Sequence, residues 1–285
     1  MSEANRPAAA AGTLRLGDLT VNRMAFGAMR VAGPDIWGEP KDRAGMRKLL
    51  VRALELGHNF FDTADSYGPD VSEILIAEAL HPYPRELVIG TKGGLVRPSR
   101  QRWDEDGRLE HLRRAVDGSL KRLRLERIDL YQLHAPDPKV PYADSVGVLA
   151  ELARAGKIRH LGISNVDALQ LEVARRIAPI VSVQNEYNIE NRQSDGVLAA
   201  CEKAGIAFIP WYPLGAGRAL RSARVKRIAA RLGATPAQVA LAWLLARSPV
   251  MLPIPGTGSI AHLEENAAAA ALRLSAQDIA ELDKT

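Results

Sequence analysis

Met24-Ala25-Phe26-Gly27-Ala28-Met29-Arg30 is the stretch on which the fold turns. Its first five residues make a short apolar run of strand character that closes on a glycine and an alanine. The first strand of an open, doubly wound sheet runs into a Gly-x-Gly-x-x-Gly turn, whose glycines let the backbone approach a pyrophosphate. Here Gly27 is followed by Ala28, Met29 and Arg30, and no such fingerprint follows. A parallel sheet begun this way is expected to close on itself instead.

The rest of the chain supports closure. Seven further strand-like runs lie at 59–63, 87–92, 128–134, 160–165, 181–187, 207–213 and 252–256, separated by segments of helical apolar spacing. Strand and helix in alternation mean parallel strands covered by helices. Eight such units close into a barrel whose chemistry sits at the carboxyl ends of the strands. The expected fold is therefore α/β, a (β/α)8 TIM barrel. An N-terminal β-hairpin (13–16 and 19–21 around a Gly17-Asp18 turn) precedes it, and a short C-terminal helix begun by Ser275 and Asp278 follows it. Helix ends can be read as well. Asp42 is expected to cap a helix burying Met46, Leu49, Leu50, Ala53 and Leu54, with Gly57 ending it. Asp144 is expected to open another, stopped at Gly156, and Thr235 with Gln238 forms a capping box around Pro236.

Composition sets limits on function. The 285 residues are 47% hydrophobic and 25% charged, as in ordinary globular proteins. Residues 1–12 read as a flexible leader and 13–285 as a single barrel domain. The leader lacks the basic start and apolar run of a secretory signal, and no apolar stretch is long enough to span a membrane. Cys201 is the only cysteine, so no internal disulfide forms, and a reducing, cytoplasmic setting fits. In its apolar run Cys201 reads as a core residue. The net charge of +5 suits an anionic ligand. The basic residues are dispersed apart from 218–231, which favours a phosphorylated small molecule over a nucleic acid. The six histidines are scattered without metal-ligand spacing, so no metal is expected.

The strand ends carry the chemistry. The second ends in Phe61-Asp62-Thr63-Ala64-Asp65-Ser66-Tyr67, the third in Thr91-Lys92 and the fourth in Gln132-Leu133-His134. Each has an ordinary alternative: Asp62 bonding turn amides, Tyr67 a loop aromatic, Lys92 a solvated charge, His134 a neutral histidine on a carbonyl. A barrel brings all four to one mouth. Together they suit carbonyl reduction, which needs a hydride from a nicotinamide and a proton for the oxygen. Tyr67 would give the proton, and the Lys92 ammonium would bring its pKa down towards the working range. Asp62 would hold Lys92, and His134 would hydrogen-bond the carbonyl oxygen.

These motifs, in this order, resemble the catalytic tetrad of the aldo-keto reductases, and the resemblance runs from about Leu14 to Leu282. It implies that Asp62, Tyr67, Lys92 and His134 are the tetrad, and that Ser164, Asn165 and Gln184 hold a nicotinamide carboxamide. Gly27, Met29 and Asp62 would also border the cofactor. Trp211 stands where the family has a stacking tyrosine, and Tyr212 where it has a phosphate-binding serine. The stretch Tyr212-Pro213-Leu214-Gly215 would then offer backbone to the phosphates. Ile254-Pro255-Gly256-Thr257-Gly258 and the following His262, Glu265 and Asn266 match the adenosine-phosphate end. Where the family has an arginine for the 2′-phosphate this chain has His262, so the implied cofactor is NADPH with NADH left open, and the basic run from Arg218 to Lys226 is a candidate to compensate.

Framework segments such as 183–189 and 240–245 resemble the bacterial pyridoxal reductase branch, which implies reduction of pyridoxal to pyridoxine. On the substrate side, Met29, Trp37 and Trp103 would join Tyr67 and His134, with Tyr187 a further aromatic candidate and Trp243 a packing residue. The implied partner is a small carbonyl compound, with no nucleic acid and no membrane, bound to a monomer or weak homo-oligomer. The alternative on the same barrel is a non-catalytic NADP(H)-binding sensor or regulatory subunit.

Overall fold

Residues 6–284 are described by a computed structural model. The hairpin is β1 (Thr13–Leu16) and β2 (Leu19–Asn22), antiparallel with Leu16 opposite Leu19. The barrel then runs β3 (Phe26–Gly27), α1 (Arg43–Glu55), β4 (Phe60–Asp62), α2 (Val71–Leu80) and β5 (Val88–Gly93). An insertion, β6 (Leu95–Ser99) and β7 (Arg102–Glu105), precedes α3 (Leu109–Leu123). Next come β8 (Ile128–Leu133), α4 (Tyr142–Arg154), β9 (Ile158–Ser164), α5 (Ala168–Ile177), β10 (Ile180–Glu186), α6 (Asp195–Ala204) and β11 (Ala207–Trp211). The chain finishes with α7 (Ala223–Leu232), α8 (Pro236–Arg247), α9 (Ile260–Ala268) and α10 (Ala276–Leu282).

Seven strands form one parallel sheet in the order β3-β4-β5-β8-β9-β10-β11. The eighth place, expected at 252–256, is filled by extended chain without a regular ladder. On one side Phe208 N donates to Val250 O and Leu252 N to Phe208 O, both at 2.8 Å; on the other, Ala25 N donates to Pro253 O at 3.0 Å and Gly27 N to Pro255 O at 3.4 Å. Pro253 and Pro255 have no N–H to give, so the closing run mostly accepts. Contact across this seam is close. A Cβ on Gly27 would lie 2.5 Å from Ile254 O, and one on Gly256 2.5 Å from Gly27 O. Both positions therefore need glycine.

Side chains alternate along each strand. Phe60, Val88, Leu130, Ala207 and Ile209 point inward with Leu16 and Val21 of the hairpin, which plug the amino-terminal end of the barrel. Phe61, Ile89, Tyr131, Ile163, Val183 and Phe208 point outward against the helices. At the carboxyl ends of the strands the same phase places Asp62, Lys92, Gln132, Ser164 and Gln184 inside. That phase builds the site.

Most helix ends match the sequence reading. Asp42 accepts from Gly45 N, and Thr235/Gln238 and Ser275/Asp278 form complete capping boxes. Asp144 does not cap: α4 begins at Tyr142 behind Pro141, and Asp144 lies in its first turn. Part of the expected flexible leader is packed on the barrel. Pro7–Ala11 forms a 3-10 turn with Ala8 fully buried, Ala8 N donating to Leu56 O and Arg273 to Ala10 O. Residues 1–5 lie outside the described residues. Among those described, no single helix is long and apolar enough to cross a membrane.

Candidate active site

Lys92 Nζ is the hub. Fully buried, it donates to Asp62 Oδ1 at 2.6 Å, to Thr63 O at 2.8 Å and towards Tyr67 Oη at 3.4 Å. The other Asp62 oxygen accepts from Gln184 Nε2 at 2.8 Å and Gln132 Nε2 at 3.3 Å. The carboxylate is thus held by three side chains from three strands and has no freedom to swing. Tyr67 reaches the cluster because the chain turns sharply after β4: Asp65 N donates to Lys92 O and Tyr67 N to Ala64 O. His134, just past β8, sets its ring edge-on to Tyr67 with centroids 6.0 Å apart. Its Nδ1 lies 3.4 Å from Ser66 Oγ; with Ser66 donating, the ring proton is on Nε2.

The electrostatics follow from burial. The His134 pKa is held well below its ordinary value by desolvation and then by the Lys92 charge, so the ring is neutral at physiological pH. Burial opposes the Lys92 ammonium, yet Asp62 and Tyr67 outweigh it and its pKa is raised. Tyr67 departs from the expectation that Lys92 brings it down. Desolvation raises its pKa and exceeds the pull of the ammonium, so the phenol holds its proton.

Above this floor opens a cleft of about 400 Å³. Gly27, Met29, Asp62, Tyr67, Trp103 and His134 line it, as do Ser164, Asn165, Gln184, Trp211, Tyr212, Pro213 and Leu214, and Ile254, Pro255 and Gly256. Asn165 is held on both sides, donating to His134 O at 2.9 Å and accepting from Trp211 Nε1 at 3.0 Å. Ser164 Oγ donates to Gln184 O. After β11 the backbone enters the left-handed region at Tyr212, Gly215, Ala216 and Gly217. A Cβ on Gly217, at the cleft, would meet nothing within 4 Å.

The geometry has a counterpart among known proteins. The model of the Aldo/keto reductase family matches residues 23–285. The chain belongs to the aldo/keto reductase family. That makes it an NAD(P)H-dependent oxidoreductase. It is 49% identical over 278 residues to an uncharacterized oxidoreductase of Schizosaccharomyces pombe, covering 97% of this chain and 90% of that protein. It is 45% identical over 278 residues to the pyridoxine 4-dehydrogenase of Escherichia coli, covering 95% and 97%. A solved aldo-keto reductase from Klebsiella pneumoniae in complex with NADPH is 26% identical, with a TM-score of 0.82 over 95% of this chain and 94% of that one.

In this aldo/keto reductase several expected residues are not among those lining the cleft. Gly215, Thr257, Gly258, His262, Glu265 and Asn266 do not line it. Thr257 Oγ1 accepts from Ser259 N, Ser259 caps α9, and His262 is exposed on its first turn. Asn266 is buried, and Glu265 O accepts from Gln238. Trp37 lies behind the wall, 5.3 Å from the Arg97 guanidinium. Tyr187 is no mouth residue: it is fully buried, stacked on Trp243 at 6.0 Å and bonded to Asp195. Its place in the inward-outward phase of β10, beyond outward-facing Val183, already points it at the helices.

Sequence reasoning missed others. Gln132 was legible from its phase two residues beyond Leu130. Arg30 and Ile36 line the cleft from the loop after β3, and Leu95 lines it from the β6–β7 hairpin beside the expected Trp103. Glu73 is a buried brace under β5 and α3, accepting from Thr91 Oγ1 at 2.5 Å and Arg122 Nε at 2.6 Å.

Proposed function

We propose that this protein reduces an aldehyde or ketone to the alcohol with NADPH, using Tyr67 as proton donor, and that a pyridoxal-like aromatic aldehyde is its substrate. The observation that carries the reading is Lys92 Nζ shared between Asp62 Oδ1 and the Tyr67 hydroxyl on the floor of the cleft. The polar residues around that floor fit a nicotinamide. Gln184 gives its amide nitrogen to Asp62 and keeps its carbonyl oxygen for a ligand, Asn165 is pre-set by Trp211, and Ser164 stands beside them. Trp211 offers a ring face, and the left-handed backbone at Ala216 and Gly217, open at Gly217, allows close approach of a phosphate. Bound there, the reduced nicotinamide supplies the hydride.

The side chains do the rest. Neutral His134, with its proton on Nε2, donates to the carbonyl oxygen and sets its direction. Tyr67 passes its proton to that oxygen as negative charge develops. Lys92 then stabilises the phenolate left behind, by about 4 kcal/mol at an effective dielectric near 20. Asp62 keeps the ammonium in place and does not itself exchange a proton with substrate. The relative named for pyridoxine and the aromatic wall at Trp103 support the substrate class. Arg30 at the cleft supports an anionic cofactor in the absence of an arginine at position 262. The buried, lone thiol of Cys201 is in keeping with a cytoplasmic setting.

Following NADPH absorbance with pyridoxal, and then with simple aldehydes and with NADH, tests this. Tyr67→Phe is expected to bind NADPH as wild type does while turnover falls by about 10² to 10⁴, the usual worth of a positioned acid. Normal turnover in that variant would falsify the assignment of the donor. No oxidation of NADPH by any carbonyl compound would sink the reductase reading.

A further inference from the structure

Two loops from different strands form the substrate side of the cleft, and one buried cation joins them. Arg97 in β6 is 7% exposed, and its partners are carbonyls and ring faces. It donates to Ile36 O at 2.9 Å, to Asp35 O at 3.3 Å and to Arg100 O. Its guanidinium lies 3.9 Å from the Trp103 ring centroid and 5.3 Å from that of Trp37. Trp103 in turn stands edge-on to Tyr67, with centroids 6.5 Å apart.

The loop it grips is under strain. Asp35 and Ile36 both have left-handed backbone, φ 58° and 60°, a conformation especially costly for a β-branched residue. Such a loop keeps its shape only where its surroundings over-determine it. The carbonyls of these two residues are the ones Arg97 holds. Ile36 O also accepts from Gly68 N at 3.2 Å, and Gly38 N donates to Gly68 O at 2.6 Å, next to Tyr67. An exposed Arg100–Asp35 pair at 3.8 Å joins the same loops but is worth little in water.

We propose that Arg97 is a positioning residue that sets specificity for aromatic carbonyl compounds, by clamping Ile36 and Trp103 as the fixed apolar wall facing Tyr67. This rests on the reductase reading of the cleft. A planar ring packs against the rigid wall while its carbonyl reaches the acid, whereas a small aliphatic aldehyde does not touch the wall. Loosening the clamp therefore weakens binding of the ring and leaves the proton transfer alone.

The test compares benzaldehyde with propanal in wild type, Arg97→Leu and Arg97→Lys, with NADPH saturating. Arg97→Leu is expected to raise KM for benzaldehyde by roughly tenfold, the scale of one cation–ring contact, with kcat for both aldehydes and KM for propanal little changed. Arg97→Lys, a point charge without the planar fork, recovers only part of the effect. Hydrogen exchange on the NADPH-bound protein reads the clamp without turnover: in Arg97→Leu, amides of 35–38 and 95–105 lose protection together. Trp103→Leu provides a second route. It should reproduce the benzaldehyde effect while 35–38 stays protected. Equal losses for the two aldehydes, or exchange that rises in the hairpin alone, overturn the proposal. A wild type inert to both aldehydes and to pyridoxal rejects the reductase reading, while the exchange result still decides the clamp.

Discussion

At the scale of single residues, the site works by keeping two groups uncharged next to one that is charged. Tyr67 and His134 are both buried against Lys92, and desolvation dominates both, raising the phenol and lowering the imidazole. The active form of the proposed mechanism, phenol protonated and imidazole neutral, then spans a wide pH range. Its lower limit is the folded pKa of His134, well below 6.5, and its upper limit is that of Tyr67, above 10. The expected kcat/KM profile for reduction is flat across neutral pH and falls only on the alkaline side as Tyr67 loses its proton. A profile that drops between pH 7 and 6 would show His134 taking up a proton in that range and contradict its burial. The residue types of the tetrad were legible in the sequence because their chemistry is local. The sign of the Tyr67 shift was not, because it depends on how much water the folded cleft excludes.

At the scale of elements, period-two alternation explains how much could be read. Once Phe60, Val88 and Leu130 are inside, Asp62, Lys92 and Gln132 must be inside too, and the strand ends select themselves. Connections carry no such period. The β6–β7 hairpin hid in Ser99-Arg100-Gln101-Arg102-Trp103-Asp104, whose apolar content is too low to signal strands; it is held by its turn and by Arg97. The eighth strand shows the reverse case, since its apolar run was legible while its prolines deprived it of a ladder. At that seam a methyl group has nowhere to go. Gly27→Ala is expected to cost about 1 to 3 kcal/mol, as overpacking against backbone does. Urea unfolding at neutral pH would measure it, and an unchanged midpoint would mean that the seam is looser than the 2.5 Å approach implies.

At the scale of the molecule, the rhythm of strands and helices was sufficient for the architecture, because a parallel sheet of eight such units has few ways to cover both faces. The cofactor path was less legible. The positions 257–266 are shaped by the cap of α9 and, although they follow directly on Gly256 of the cleft, are not themselves among the residues lining it. The hairpin at the other end was plain from its turn, though its effect appears only in three dimensions. Leu16 and Val21 are fully buried in the barrel interior.

A vessel stopped at the bottom exchanges its contents through one door. Whatever enters this barrel must leave the way it came, and the occupant nearer the floor waits until the one above has gone. Product-inhibition kinetics should accordingly show a compulsory sequence of departure. Patterns in which either product leaves first would point to a back exit that Leu16 and Val21 do not leave.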